Sequence, residues 1–346
     1  MKSRQRNLPE ATDSHAFKVA VVQAAPVAFD RDATLAKVSR LAREAAVKGA
    51  KLVLFPEAFV SAYPRGLDFG AAVGSRSDRG RDEFRRYWES SVEIPGPALD
   101  ALSETARVNG IFLIVGVVER DAGTLYCTVL FFSPDGGYQG KHRKVMPTGS
   151  ERLIWGFGDG STLPVFDTPL GKVGAVICWE NYLPLLRAAM YAKGIEIYCA
   201  PTADARDSWL ASMRHIAVEG RCFVLSCNQF NRGRDFPADY DAALVQDRDA
   251  VVTRGGSCII DPFGNFLAGP NFEDEAILIA EIDRAQIIRG KFDLDVVGHY
   301  ARPDIFQLHV DERPKQPVTT RSEIGETKEA ASHRSGRRRA TRSGTK

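Results

Sequence analysis

Short apolar runs alternate with amphipathic stretches along most of this 346-residue chain. Residues 17–27 and 51–55 are apolar runs of the kind that form buried strands. Between them, residues 32–47 repeat apolar side chains at helical spacing and end just before Gly49, a common helix stop. A strand, a helix and a second strand in succession predict an α/β fold.

The same patterns predict further elements along the rest of the chain. Strands are expected within 111–132 about a turn at 121–123, within 163–176, at 195–200 and 222–226, and in a last hairpin of 257–262 with 276–282. Helices are expected at 82–90, 97–108, 185–193, 208–219 and 284–289. Residues 61–80 and 232–249 are polar and interrupted by glycine or proline, which predicts two long loops.

Cys178 stands at the end of an apolar run, residues 173–177, and the polar pair Glu180 and Asn181 separates it from the next predicted helix. Free backbone N–H groups and the positive end of a helix dipole at such a turn lower the pKa of a thiol. We therefore interpret Cys178 as a candidate nucleophile. The competing interpretation is a buried packing residue, the usual role of free cysteine, and this segment alone favours that interpretation.

Glu57 lies at the end of the predicted strand 51–55, after Pro56, and has the apolar neighbours Pro56, Ala58 and Phe59. The ends of strands form the usual rim of ligand sites in α/β folds. An exposed loop carboxylate is the commonest fate of glutamate, but the apolar neighbours favour burial. Because desolvation raises the pKa of a carboxyl group, a buried Glu57 is a candidate general base.

The basic segment that ends at Lys144 precedes an apolar pair, Val145 and Met146. Alternation turns Lys144 inward, whereas Lys141 and Arg143 are interpreted as a solvated sheet edge, which basic residues protect from pairing. The glycine-rich residues 151–161 lack the Gly-Lys-Ser/Thr ending of a phosphate-binding loop, so nucleotide binding receives little weight.

Composition and charge exclude several classes of protein. The formal net charge of +2 makes no case for a nucleic-acid partner. No apolar run reaches the roughly 20 residues of a membrane span, and the first 16 residues lack the apolar segment of a secretory signal. We therefore expect a cytoplasmic protein with no membrane partner.

The six cysteines lack the Cys-x-x-Cys spacing of zinc and redox sites, so we expect no metal centre. All except Cys178 are assigned to core packing as free thiols. Apolar content falls after about residue 311, and residues 334–346 contain five arginines and one lysine without an acid. We expect a flexible segment at 1–16, one domain at 17–312 and a disordered basic tail at 313–346, which leaves a weak nucleic-acid or membrane-surface contact open.

Seven segments lie around and between the candidate residues: FPEAF at Glu57, KHRKVMPT at Lys144, SERLIWGFGDGS, VICWEN at Cys178, YAKGIEIYCAPTAD, GGSCIIDPFGNFLAGPNFE and VGHYARPD. Together they resemble the nitrilase superfamily, and within it the true nitrilases of plants and bacteria. The resemblance extends through most of residues 17–310. It implies an α/β fold of the four-layer αββα sandwich type.

The resemblance also implies roles for particular residues. Glu57, Lys144 and Cys178 match the Glu-Lys-Cys triad of the family. Glu151, seven residues after the lysine, matches a second active-site glutamate that would orient Lys144. Trp179 favours nitrile hydrolysis over the amidases of the superfamily, and its backbone N–H would stabilise the developing anion. No metal or organic cofactor is expected.

The implied reaction converts an organic nitrile and two waters into a carboxylic acid and ammonia through a Cys-bound thioimidate and thioester. Arylacetonitriles and cyanoalanine-like nitriles are the substrate options, with pocket walls expected near residues 62–65 and 202–209. An amidase, or an enzyme that releases amide from the nitrile, is the first alternative. A non-catalytic oligomeric scaffold is the second. A dimer-based homo-oligomer is expected, with spiral assembly as an option.

Overall fold

The computed structural model describes residues 16–315 and Val318. The chain divides into two units, Met1–Arg313 and Pro314–Lys346, and the fold below is that of the first. The predicted flexible segment 1–16 and basic tail 313–346 lie almost entirely outside the described residues. Both stay predictions.

Seventeen strands occur within the described residues. In chain order they are β1 Ala16–Gln23, β2 Ala50–Leu54, β3 Ala71–Ala72, β4 Ser75–Arg76, β5 Val92–Glu93, β6 Phe112–Asp121, β7 Thr124–Phe132, β8 Tyr138–Arg143, β9 Val165–Thr168, β10 Gly171–Ala175, β11 Ile197–Thr202, β12 Phe223–Asn228, β13 Phe230–Arg232, β14 Val251–Arg254, β15 Ser257–Ile260, β16 Phe266–Asn271 and β17 Ala276–Asp283.

Six α-helices accompany these strands: α1 Arg31–Val47, α2 Asp78–Glu89, α3 Pro97–Asn109, α4 Pro184–Ala192, α5 Asp207–Gly220 and α6 Ala285–Asp293. Local sequence accounts for several of their ends. The side chain of Asp30 caps α1 by accepting a hydrogen bond from Ala33 N at 2.9 Å. Proline opens α3 and α4, and Gly110 ends α3 in the left-handed conformation, at φ 58°. No helix of the described part is long and apolar enough to cross a membrane.

Two large sheets organise the domain. The first has the strand order β17-β1-β2-β6-β7-β8, with β5 also paired to β6, and the second has the order β16-β15-β12-β11-β10-β9. The centre of each sheet is parallel, β1-β2-β6 in the first and β10-β11-β12 in the second. The short β5 also pairs with β6 in parallel, whereas the other outer strands are antiparallel. The carboxyl ends of these parallel strands form the edge from which a ligand site can be built.

Alternating side chains separate the layers. In β1, Val19 and Val21 enter the core between the two sheets, whereas Ala20 and Val22 face α1 and α3. In β11, Ile197 enters the same central core, whereas Tyr198 packs with α4 and α5. The layers are therefore helix, sheet, sheet and helix, which confirms the expected αββα sandwich.

One predicted hairpin is wrong. Strand β15 pairs with β16, which the sequence analysis had not identified because its glycine and proline are typical of a turn. Strand β17 instead pairs with β1 of the other sheet, from Ala16 opposite Asp283 to Gln23 opposite Ala276. Since β17 is apolar on both faces, it fits a sheet that is covered on both sides.

The interpretation of Lys141 and Arg143 as a solvated edge also needs correction. Strand β8 is the edge of its sheet, but both side chains pair with Glu119, a carboxylate that is only 1% exposed. Arg143 Nε lies 2.9 Å from this carboxylate, and the hydroxyl of Thr128 donates to it at 2.9 Å. A buried carboxylate requires such partners, and the sequence does not reveal its position.

We expect Cys258→Ala to lower the free energy of unfolding by about 1–2 kcal/mol, because the thiol is fully buried between the second sheet and α5 and its removal leaves a cavity. Chemical denaturation followed by circular dichroism measures this loss. Val108→Ala, at an exposed position of α3, is the control and should change stability by less than about 0.5 kcal/mol. Equal effects of the two changes would contradict the packing role of Cys258.

Candidate active site

Glu57 lies in a tight turn that directly follows β2, and its side chain is fully buried. The turn rests against Gly116 of β6, where an added Cβ would lie only 2.1 Å from the carbonyl oxygen of Pro56. Phe59 N donates to Gly116 O at 2.8 Å and holds the turn in place. Glycine at position 116 therefore allows the close approach that buries Glu57.

Lys144 directly follows β8, and its ammonium group is fully buried. Its backbone N donates to Cys127 O, and its backbone O accepts from Gly158 N, both at 2.8 Å. The side chain extends to two carboxylates, with Nζ 2.7 Å from Glu57 Oε1 and 2.8 Å from Glu151 Oε2. These two contacts supply the partners that a buried cation requires.

Glu151 belongs to a 3₁₀ turn, Gly149–Leu153, and is 7% exposed. Besides Lys144, its Oε2 accepts from Thr148 N at 2.6 Å, and its Oε1 accepts from the hydroxyl of Tyr63 at 2.7 Å. Three partner atoms thus fix the carboxylate. Glu151 therefore contacts Lys144, and its role in orienting the ammonium stays a prediction.

Cys178 begins a 3₁₀ turn, Cys178–Tyr182, just after β10. Its φ of 49° lies in the left-handed region, which non-glycine residues adopt at a cost that is often found at functional sites. Asn181 Nδ2 stabilises this conformation by donating to the carbonyl oxygens of Cys178 at 2.7 Å and Val176 at 2.9 Å. The hydroxyl of Thr202, at the end of β11, lies 3.1 Å from Sγ.

Burial controls the pKa values of the three central groups. Desolvation raises the pKa of the Glu57 carboxyl, against the opposing attraction of Lys144. Burial opposes protonation of Lys144, but the charge of Glu57 and its other anionic neighbours hold its pKa well above the usual value. Lys144 is therefore a permanent cation in the neutral pH range.

The pKa of the Cys178 thiol is raised, whereas the sequence predicts that it is lowered. Burial, followed by the negative charge of Glu57, raises its pKa to about 12. The expected lowering of the thiol pKa is wrong, because desolvation and a neighbouring carboxylate outweigh the effect of one short turn. Cys178 is consequently a protonated thiol at neutral pH and needs a base to react.

A cavity of about 520 Å³ opens above this cluster. Cys178 and Glu151 lie at its surface, and both segments expected to form walls contribute to it. The lining residues are Tyr63, Arg65, Thr148, Glu151, Cys178, Trp179, Ala203, Asp204, Ala205, Arg206, Val251, Val252, Thr253 and Arg254. The contribution of β14 to this wall was not predicted from the sequence.

Trp179 contributes its side chain as a wall of the cavity. Its indole Nε1 donates to Asp204 Oδ2 at 2.8 Å, and the guanidinium of Arg206 lies 4.7 Å from the ring centroid. The ring is 40% exposed. The structure therefore brings Glu57, Lys144, Glu151 and Cys178 into one cluster, with Trp179 beside it.

The sequence profile of the carbon-nitrogen hydrolase family matches residues 18–292. The chain belongs to this family. A bifunctional nitrilase/nitrile hydratase of Nicotiana tabacum is 57% identical over 306 residues, which cover 87% of this chain and 88% of the relative. An aliphatic nitrilase of Sinorhizobium fredii is 56% identical over 88% of this chain and 99% of its own length. Within the family, the chain falls in the branch of plant and bacterial nitrilases.

Solved structures of carbon-nitrogen hydrolases show the same fold. The enzyme of Helicobacter pylori G27 aligns with a TM-score of 0.64 at 22% identity and covers 81% of this chain and 93% of its own. An amidase of Nesterenkonia AN1 from the nitrilase superfamily aligns with a TM-score of 0.60 at 21% identity, over 80% of this chain and 94% of its own.

Two residues of this carbon-nitrogen hydrolase site were not singled out from its sequence. Tyr63 lies inside a segment expected to line the pocket, but nothing in that segment shows that its hydroxyl reaches Glu151. Thr202 opens the other segment expected to line the pocket, 202–209, and it ends β11, two residues beyond the predicted strand 195–200. Among the described residues, no group of three or more His, Cys, Asp or Glu side chains could hold a metal ion.

We expect no thiolate signal from Cys178 between about pH 6 and pH 9. A pKa of about 12 leaves roughly one thiol in a thousand ionised at pH 9. Ultraviolet difference spectra of the wild type and Cys178→Ala across this range measure the thiolate directly. Cys258→Ala, which also removes a buried thiol with a raised pKa, is the control. A signal that titrates below pH 8 only in the presence of Cys178 would contradict the raised pKa.

Proposed function

We propose that this carbon-nitrogen hydrolase is a nitrilase that converts an organic nitrile and two waters into a carboxylic acid and ammonia. Relatives more than half identical to the chain are named nitrilases, which supports this activity. The observation that carries the proposal is the arrangement of Cys178 at the floor of a cavity, with Glu57 and Lys144 buried behind it.

The first step forms a bond between Cys178 Sγ and the nitrile carbon. Glu57 takes the proton of the thiol as the bond forms, because the thiol is not ionised beforehand. Glu57 Oε2 is suited to this role since it is buried and has no hydrogen-bond partner among the described residues. Delivery of this proton to the nitrile nitrogen completes a neutral thioimidate.

Two waters complete the reaction. The first adds to the thioimidate carbon, and the tetrahedral intermediate expels ammonia to leave a thioester. The second hydrolyses the thioester to the carboxylic acid and returns the proton to the thiol. In both additions Glu57 acts as the base, and the ammonium of Lys144 stabilises negative charge on nitrogen or oxygen. The backbone N–H of Trp179 is the second donor, and Glu151 holds Lys144 in place.

The residues that line the cavity indicate which classes of nitrile can bind. Trp179 and Tyr63 offer aromatic surface to an arylacetonitrile, whereas Arg65 offers a cation to the carboxylate of a cyanoalanine-like nitrile. We therefore propose one of these two classes as the substrate. Ammonia release from aryl, arylaceto, aliphatic and amino nitriles, each beside its amide, distinguishes them and also tests the amidase alternative.

Release of amide is the second candidate outcome. It occurs when the tetrahedral intermediate expels the thiol of Cys178 instead of ammonia, which requires the same residues and one water. The names of the tobacco and lupin relatives, bifunctional nitrilase/nitrile hydratase, favour this outcome as a side reaction. The ratio of acid to amide in the products decides between the two.

We expect Cys178→Ala to abolish ammonia release and Glu57→Gln to reduce it by more than about a hundredfold, because the first removes the nucleophile and the second replaces the base by an amide. Steady-state assays on the best nitrile of the panel measure both losses. Circular dichroism should show that both variants fold.

The matched control for these variants is Cys258→Ala. It should keep its turnover per folded molecule, because this thiol lies on the helix-covered face of the second sheet, away from the central core. Substantial turnover in Cys178→Ala would refute the assignment of the nucleophile. A near-normal rate in Glu57→Gln would show that another group is the base.

Location and assembly are part of the same proposal. All six cysteines are free and buried, as expected for a cytoplasmic protein. Large apolar side chains remain exposed at Leu185, Ile288, Phe292 and Phe306, which favours a dimer-based homo-oligomer. The nucleic-acid contact of the basic tail stays a prediction.

Deletion of residues 313–346 separates catalysis from assembly. We expect unchanged hydrolysis, because every residue of the proposed site precedes the deletion, while light scattering reports any change in particle mass. The full-length protein at equal concentration is the control. If the full-length protein hydrolyses no nitrile or amide and the deletion changes only the particle mass, the non-catalytic scaffold is favoured instead.

A further inference from the structure

The buried carboxylate of Glu180 connects the two strand ends that carry Lys144 and Cys178. Its Oε1 accepts from Val145 N at 2.5 Å, and its Oε2 accepts from Ile177 N at 2.9 Å. Val145 directly follows Lys144, and Ile177 directly precedes Cys178. One side chain, 1% exposed, thus binds the first sheet to the second at the neighbours of both reactive residues.

His142 is the other partner of this carboxylate, and it is fully buried. Its Nε2 lies 2.9 Å from Glu180 Oε2, and its Nδ1 lies 2.5 Å from Thr162 O. Because a carbonyl oxygen can only accept, Nδ1 carries a proton. Each oxygen of Glu180 accepts from a backbone N–H group, so Glu180 is also the acceptor in the contact with Nε2, which therefore carries a second proton.

The electrostatic surroundings agree with a charged histidine. Burial opposes the imidazolium, but the charge of Glu180 and the hydrogen bonds to both ring nitrogens raise the pKa of His142 above its ordinary value. Lys193 is the opposing charge, and it lies at the end of α4. Its Nζ donates to Leu163 O and pairs with Glu312, which reduces its effect on the ring.

We infer that Glu180 and His142 form a buried ion pair that acts as a positioning device and sets the placement of Lys144 relative to Cys178. The inference rests on the proposed function, since it concerns the geometry of that reaction. Neither residue lines the cavity, so neither touches the substrate. A buried ion pair contributes little to stability compared with an apolar contact, whereas it does specify one geometry. Misplacement of reacting groups by about 1 Å costs about a hundredfold in rate.

Glu180→Gln tests the inference because it keeps the shape of the side chain but leaves one acceptor oxygen for two backbone N–H groups. We expect kcat to fall by about ten- to a hundredfold with KM changed by less than about threefold. Alkylation of Cys178 by iodoacetamide, with Cys178→Ala as the baseline, should slow by a similar factor.

Glu119→Gln is the matched control. Glu119 is also 1% exposed and pairs with Lys141 and Arg143, the two residues that flank His142 on β8. Its partners are side chains, and the backbone N–H groups beside Lys144 and Cys178 bind Glu180 instead. This variant should therefore lose thermal stability and keep kcat per folded molecule within about twofold. Equal losses of kcat in the two variants, or an unchanged kcat in Glu180→Gln, would overturn the inference.

His142→Gln provides a second, independent variant if Glu180→Gln does not fold. It removes the positive partner, and we expect the same selective loss of kcat, with the double variant no slower than either single one. An unchanged kcat in His142→Gln would also overturn the inference. Alkylation of Cys178 requires no nitrile. If the protein hydrolyses no nitrile, the proposed function fails, but the slower alkylation in Glu180→Gln still tests the inference.

Discussion

The geometry of the site is governed by the pairing of the buried ammonium of Lys144 with two carboxylates, those of Glu57 and Glu151. An isolated charge in the interior costs several kcal/mol, and the two carboxylates at 2.7 and 2.8 Å offset that cost. One carboxylate follows β2 and the other lies in a 3₁₀ turn, so the charge balance requires three separate segments to meet. Desolvation, followed by the charge of Glu57, raises the pKa of Cys178 against the opposing charge of Lys144.

The αββα sandwich meets this requirement through close backbone contacts at the ends of its strands. Gly116 lets the turn of Glu57 approach β6. Gly158 lets the chain pass close to the backbone of Arg143, the residue before Lys144. Tyr63 and Thr148 fix Glu151. In the proposed nitrilase chemistry, a neutral thiol reacts as Glu57 removes its proton, in a cluster whose parts are held before the substrate arrives.

The predictions for β17, for Lys141 and Arg143, and for the pKa of Cys178 failed for the same physical reason, because contacts between distant segments decide them. Strand β17 was assigned to the wrong partner because its apolar pattern predicts a strand and carries no information about which sheet it joins. Lys141 and Arg143 were interpreted as solvated because the buried Glu119 on β6 cannot be recognised from its own neighbours. The pKa of Cys178 was expected to fall because local turn chemistry was visible, whereas the burial that raises it comes from distant segments.

The pattern of the sequence predicts the alternation of strands and helices, and short motifs that resemble the nitrilases indicate the layered fold and the candidates Glu57, Lys144, Glu151 and Cys178. These features depend on side chains that are close together along the chain. Tertiary structure alone decided which atoms meet, such as Tyr63 with Glu151 and Glu180 with the neighbours of Lys144 and Cys178. The physical reason is that desolvation and charge pairing depend on distances in space, and residues far apart in sequence set those distances.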